Sequence, residues 1–482
     1  MRKLFFLFIC FFLPIAWVSS SLALNPRAYD GPPLVFDLPG VERVTLPNGI
    51  RLYLKEDHEL PLVEVTAMIG AGTIGDPADK TGLGRLYAAL LQTGGAGNLS
   101  PADFDAELDR LAIDLAIGAD SYATTAGMSM QASDLQRGLG LLASVFRQPR
   151  FDPQRLELAR RQLVEQIRRQ DDDPGFVANR TLREALYGDH PLGRTPTVET
   201  AGAVTREDLL DFHQRFSRPN NLWLGVSGDF DREQLMKLLD DLFGTWPSGN
   251  FVQQKIPPLP PASSPAIYPV VKDLPQTTLL LGERGIDKDN PDLYALRVMN
   301  FILGGGGFNS RLMREVRSNR GLAYSVFSYY DIGRRLPGLF IAGTETKTAS
   351  VPEVVDLMRS LMQQMTERPV SNEELRLAKE SLINSFVFAF EDTHEIVSQT
   401  MRLDFYDYPP DYLERYRDRV ADVTVPQVLD VARRYLDPRQ QVIVLVGEQL
   451  DSRQLAEAFE LPVAPGRDLE DKEEPEKTRK AG

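Results

Sequence analysis

The chain repeats itself. At a constant offset of 219 residues, Leu158-Ala159 matches Leu377-Ala378, Leu163 matches Leu382, Tyr187 matches Tyr406, and Pro191 matches Pro410. Val204-Thr205 then matches Val423-Thr424, and Asp211, Arg215, Pro219 and Gly228 match Asp430, Arg434, Pro438 and Gly447. No gap is needed from about residue 152 to 229, and the apolar positions stay in step. An ordered set of this kind marks two copies of one structural plan. Between the copies, Lys255 to Pro265 carries five prolines in eleven residues. Proline fixes φ and has no amide donor, so this stretch is a stiff connector and not core. The domain reading is two homologous halves, 40–252 and 266–461, joined by a proline-rich linker at 253–265.

Each half mixes strand and helix periods. Val44 to Leu54 alternates around Asn48-Gly49, a hairpin signal. Leu62 to Ile69 reads as a strand. Thr81 to Leu91, Pro101 to Leu115 and Pro153 to Gln170 have helical spacing, and Asp152-Pro153 is a good helix start. Leu222 to Val226 is a short apolar strand ending at Gly228, and Thr277 to Leu281 and Val442 to Val446 are its second-half counterparts. The predicted fold class is α+β: two homologous α/β layer domains from an internal duplication, each a sheet with helices on one face.

Charge and cysteine usage narrow the function. Acidic residues outnumber basic ones 68 to 54, a net charge of −14, which argues against a nucleic-acid partner. The single cysteine, Cys10, falls in a segment that reads as a secretory signal at 1–23. Arg2 and Lys3 start it, Leu4 to Val18 form its apolar run, and Ser21-Leu22-Ala23 is a small-x-small cleavage site. The run is short for a bilayer crossing, though an uncleaved anchor is the alternative. The expectation is export across the inner membrane to the periplasm, with no membrane span after signal cleavage. The stretch 465–482 is charged and poor in apolar residues, and is predicted to be disordered. His58, His190, His213 and His394 are isolated, which reads as surface or structural histidine in each case. No serine, histidine and aspartate arrangement points to a nucleophilic triad.

Several segments together resemble the pitrilysin/insulinase superfamily, in its mitochondrial-processing-peptidase-like branch. They are Leu46-Pro-Asn-Gly-Ile-Arg, Thr81 to Gly94, Ala185 to Arg194, Leu303 to Leu312 and Arg320 to Val326. Active members carry H-x-x-E-H on the helix corresponding to Thr81–Gly94, and a distal glutamate on a later helix. The histidines and distal glutamate ligate zinc, and the first glutamate activates water. In this chain those positions fall on Arg85, Ala88, Ala89 and Gln166. Arginine has no lone pair to give, alanine no donor atom, and glutamine is a poor neutral ligand, so no metal is expected in this chain. The resemblance also implies an arginine–tyrosine pair seven residues apart, here Arg317 and Tyr324, that donates to the substrate carbonyl as it gains charge.

The resemblance therefore implies a non-catalytic subunit of a heterodimeric zinc metallopeptidase. Arg317 and Tyr324 would act in trans, and the H-x-x-E-H motif and zinc would sit in a partner chain of the same superfamily. Alone, the chain is expected to be inactive. Gly304, Gly305, Gly306 and Gly307 read either as a loop lining the peptide chamber or as a tight turn; no Gly-Lys-Ser/Thr follows, so a nucleotide loop is not indicated. The alternative function is a catalytically inert scaffold or peptide-binding protein of the same superfamily.

Overall fold

The computed structural model describes residues 40–253, 255–390 and 392–468; the expected signal at 1–23, with Cys10, and the tail from residue 469 lie outside the described residues. The first half runs β1 (Glu42–Thr45), β2 (Arg51–Glu56), β3 (Leu62–Ile69), α1 (Leu83–Thr93), α2 (Pro101–Arg110), β4 (Asp114–Ala119) and β5 (Thr124–Gln131). It continues through α3 (Leu135–Arg147), α4 (Pro153–Gln170), α5 (Pro174–Tyr187), α6 (Val198–Gly202), α7 (Arg206–Phe216), β6 (Leu222–Gly228) and α8 (Arg232–Leu239). The second half runs β7 (Ile267–Val271), β8 (Thr277–Arg284), α9 (Leu293–Asn300), β9 (Ala323–Asp331), β10 (Leu339–Thr346), α10 (Val351–Glu367) and α11 (Asn372–Ser385). It closes with α12 (Thr393–Phe405), α13 (Tyr412–Ala421), α14 (Val425–Tyr435), β11 (Val442–Gly447), α15 (Ser452–Phe459) and β12 (Arg467–Asp468).

The strands form one six-stranded sheet per half, ordered β1-β2-β6-β3-β5-β4 and β12-β7-β11-β8-β10-β9. With the outer strands β1 and β12 set aside, the remaining five match one to one. In each, one parallel pair (β2 with β6, β7 with β11) sits in an otherwise antiparallel array. The hairpin at Asn48-Gly49 forms because Gly49 takes φ 98°, open to glycine at little cost, and the Asn48 side chain donates to Phe243 O at 2.8 Å. Aspartates and hydroxyls cap the helices that position the site: Asp152 for α4, Asp173 for α5, Ser371 for α11 and Asp392 for α12.

Two sequence expectations need correction. The helix expected over Pro101 to Leu115 ends at Arg110; Ala112 turns left-handed at φ 49°, and β4 begins at Asp114. Leu115 satisfied the helical spacing only because Ile113, Leu115 and Ile117 point inward at strand period. The tail expectation began too early. Arg467–Asp468 pair in parallel with β7, whose edge offers backbone groups that even a charged dipeptide can satisfy.

Each sheet packs one face on its own half's helices. The opposite face is covered by a helix from the other half. On the first sheet Tyr53 and Met68 meet Val397, Met401 and Phe405 of α12. On the second sheet Leu280, Ile341, Val442, Val444 and Val446 meet Val177, Leu182 and Leu186 of α5. The two helices are repeat equivalents. Glycine makes room for each: a Cβ on Gly225 would lie 2.9 Å from Val397 Cγ1, and one on Gly282 would lie 2.7 Å from Leu182 Cδ2. Their terminal tyrosines also correspond. Tyr187 OH reaches Pro337 O at 3.3 Å in the β9–β10 connection, and Tyr406 OH reaches Asp120 Oδ2 at 3.4 Å in the β4–β5 connection.

This exchange predicts how a divided chain behaves. Residues 40–252 and 266–468 expressed separately should each expose one bare sheet face, bind a hydrophobic dye and aggregate. Expressed together they should co-purify as a folded pair. A half that is monomeric and cooperatively folded alone would contradict the exchange.

Candidate functional site

Helix α1 carries three of the degenerate positions. Leu83, Leu86, Tyr87, Leu90 and Leu91 bury into the first core and fix its seat. Gly82 precedes it at φ 114°, and the Asp76 carboxylate accepts from Gly82 N at 2.8 Å and Gly84 N at 2.9 Å. Burial pushes Asp76 up to about 6, against the pull of those amides and of Arg85. Sequence reasoning passed over Asp76, whose only signal is an acid shortly upstream of a helix start.

Arg85 stands exposed on the first turn of α1 and shares an open cleft with Gln166 and Arg169 of α4, Ala119 of β4 and Phe176 of α5. The structure thus brings Arg85 and Gln166 together. Ala88 is buried in the core, and Ala89 is half-buried against it. The residue set does not fit a zinc ion: a guanidinium, two methyl groups and one neutral amide offer no ligand set of the kind zinc takes. Among the described residues no group of three or more His, Cys, Asp or Glu side chains is arranged to hold a metal.

The histidines are held by protein contacts. His58 is exposed and paired with Asp229 at 2.6 Å, and that hydrogen bond raises its pKa. His190 is buried, 3.0 Å from Pro257 O. His394 bridges two strands of the first sheet from α12, at 2.8 Å from Thr66 Oγ1 and 2.7 Å from Ser227 Oγ, and burial lowers its pKa. His213 lies 3.0 Å from the Tyr87 hydroxyl, and burial, then Arg218, pushes it down to about 4.

The arginine–tyrosine pair sits in the second half. A π-helical stretch, Met313–Asn319, carries Arg317, and β9 opens at Ala323. Gly321 turns the chain between them at φ 63°. The Arg317 guanidinium lies 4.4 Å over the Tyr324 ring and 4.7 Å from the Phe308 ring. Tyr324 is 81% exposed. Arg311 is tied to Glu374 at 2.8 and 3.0 Å, Arg314 to Glu315 and Arg320 to Glu353. Arg317 has no such carboxylate among the described residues. The Arg311 bonds anchor this segment to α11; burial alone would raise Glu374, but Arg311 outweighs it and holds the acid at about 2.

The glycine run packs closely. A Cβ on Gly304 would meet Ser328 Oγ at 2.4 Å, and one on Gly306 would meet the Phe301 ring at 2.7 Å. Gly305 is exposed beside Asn300, and Gly307 adopts φ 55° with open space around it. The last two leave main chain accessible next to Phe308.

Comparison with known proteins agrees with this layout. Residues 51–199 match the insulinase family (peptidase family M16), and residues 203–382 match the peptidase M16 inactive domain. An uncharacterized zinc protease of Mycobacterium leprae is 29% identical over 423 residues, covering 84% of this chain and 92% of that protein. The non-peptidase homolog YmxG of Helicobacter pylori is 23% identical over 401 residues, covering 82% of this chain and 91% of its own. The crystal structure of a peptidase M16 inactive domain from Pseudomonas fluorescens superposes with a TM-score of 0.78 at 26% identity, over 86% of this chain and 98% of that one.

Two predictions follow from the geometry. Restoring the three ligand positions together (Arg85→His, Ala89→His, Gln166→Glu) should give a chain that retains about one zinc after dialysis, measured by elemental analysis, while the parent retains none. Failure with the fold intact would mean that α1 and α4 no longer stand at ligand spacing. His213 should destabilise the fold on acidification. Its folded pKa is depressed from 6.5 to about 4, so its neutral form contributes stability above pH 6.5 that is lost as pH falls toward 4. Urea unfolding of His213→Gln should remove about 1–3 kcal/mol of that pH dependence.

Proposed function

The chain belongs to the insulinase family of peptidases (M16), as a non-catalytic member, and from that premise we propose that it is the substrate-binding subunit of a heterodimeric zinc endopeptidase. A catalytic partner of the same superfamily supplies H-x-x-E-H and the zinc. This chain supplies Arg317 and Tyr324 in trans. The supporting observation is an asymmetry: the ligand positions Arg85, Ala88, Ala89 and Gln166 suit no cation, whereas Arg317 and Tyr324 stay in contact, with the phenol exposed and the guanidinium bound to no carboxylate among the described residues.

The chemistry asked of this chain is donation. A guanidinium carries charge at every accessible pH and a phenol donates without carrying it, so together they meet a carbonyl oxygen that becomes anionic. Stacking of Arg317 on the Tyr324 ring holds the two donors in one orientation before substrate arrives. Extended peptide adds as a strand to a free sheet edge, either β4 beside the Arg85 cleft or β9, whose second residue is Tyr324. Gly305 and Gly307 give the peptide main chain close access to that edge.

The apolar run Leu4 to Val18, outside the described residues, adds the expectation that the pair works in the periplasm. Among the described residues no helix is long and apolar enough to cross a membrane.

The test is Tyr324→Phe in the assembled pair, which keeps the ring over Arg317 and removes only the hydroxyl. It should lower kcat about 100-fold with little change in KM, the mark of an interaction made in the transition state. Unchanged turnover would remove the role in trans. An assembly purified from the source with no H-x-x-E-H chain would remove the partner.

A further inference from the structure

A cavity of about 300 Å³ lies where the first sheet, the end of α12 and the connector meet, at the lower end of the size range of small-ligand sites. It belongs neither to the Arg85 cleft nor to the Arg317–Tyr324 pair. Its apolar walls are aromatic, with Trp223 of β6, Tyr122 of the β4–β5 connection, Phe251 and Phe405. Two arginines enter it, Arg51 from β2 and Arg335 from the β9–β10 connection.

The polar lining is unbalanced toward donors. Asn220 Oδ1 accepts from Phe251 N at 3.3 Å, and Asn221 Oδ1 accepts from Gly70 N at 3.2 Å, so both amide oxygens are occupied. Arg51 lies 4.3 Å over the Trp223 ring and makes one long bond, 3.4 Å to Asn220 O, which leaves most of its donors unspent among the described residues. Arg335 donates to Phe405 O at 2.9 Å, and its side chain is only 16% exposed. The Asp407 carboxylate is 3.7 Å from Arg335 but 79% exposed, so water screens it. The Tyr122 hydroxyl has no acceptor among the described residues, and burial pushes it up to about 12, so it remains a donor. In a chain of net charge −14, two guanidiniums and one solvent-facing carboxylate are a local reversal of sign.

We propose that this cavity binds a carboxylate carried on a compact aromatic or branched apolar body, with Arg51 and the Tyr122 hydroxyl on the carboxylate and Trp223 and Phe405 against the body. A planar guanidinium with free donors pairs a carboxylate in two-point geometry, and aromatic walls desolvate the pair. Such a group is either the last residue of a peptide or a free organic acid. The site requires no partner chain, so its test is independent of the peptidase reading.

The test uses the full chain and calorimetry, with the Trp223 emission as a second readout. N-acetylphenylalanine and a hexapeptide ending in phenylalanine are the probes, each compared with its C-terminal amide. The free acids should bind and the amides should bind at least tenfold more weakly. Arg51→Gln, which leaves the Arg335 bond to α12 intact, should weaken the acids by about tenfold or more, and Tyr122→Phe by less. Binding of both acids assigns a free-acid site; binding of the peptide alone assigns a chain terminus. Equal binding of acid and amide, no binding of either acid, or no effect of Arg51→Gln in a chain with an unchanged unfolding midpoint would each overturn the proposal.

Discussion

The exchange of α5 and α12 is the contact on which the rest of the molecule depends. A sheet with one apolar face on its own helices still has a second face to cover. Here Val442, Val444, Val446, Leu280 and Ile341 are covered by the other half, and each such side chain gains about 1.5–3 kcal/mol over exposure. The cover is reciprocal, and polar ties lock it: Tyr53 and Arg43 of the first half both reach Asp404 of α12, and Arg284 of the second half donates to Leu186 O at the end of α5. The two halves therefore fold as one body. The β4–β5 and β9–β10 connections, which border the cavity and carry Tyr122 and Arg335, are placed by the same tyrosines that end the exchanged helices.

The arrangement of the site follows from how α1 is held. Its anchoring side chains, Leu86, Tyr87, Leu90 and Leu91, point into the core, and Asp76 fixes its start. Arg85 and Gln166 point the other way, into the open cleft. The helix keeps its seat without the ligands because Arg85 faces the cleft, away from the anchoring side chains, while Ala88 and Ala89, in or against the core, fill their places as small apolar groups. Arg317 and Tyr324 show the converse. They bury little and contribute little to the second core, yet neighbouring contacts such as Arg311 with Glu374 hold their segment in place.

Much of this was legible from residues alone, and the gaps have physical causes. The repeat was visible from 152 to 229 because α4, α5 and α7 begin, and β6 ends, 219 residues before their counterparts. It faded upstream because α10 has 17 residues where α3 has 13, so β3 with β8 and β5 with β10 stand 215 apart. Arg85, Ala88, Ala89, Gln166, Arg317 and Tyr324 were found from local motifs, and the structure brings together Arg85 with Gln166 and Arg317 with Tyr324. The exchange was not legible. The apolar face of α5 states that it needs a sheet, and nothing in its pattern says whose. The cavity was not legible either, since its lining is drawn from residues as far apart as Arg51 and Asp407.

The reciprocal cover also says something about what duplication changed. Two unfused copies of such a half would complete each other by the same trade of helices, but only above the concentration at which they meet. Joining them through a short, stiff, proline-rich strap makes that encounter intramolecular, at an effective concentration on the order of millimolar. Once joined, the copies no longer had to be alike, because neither had to recognise itself.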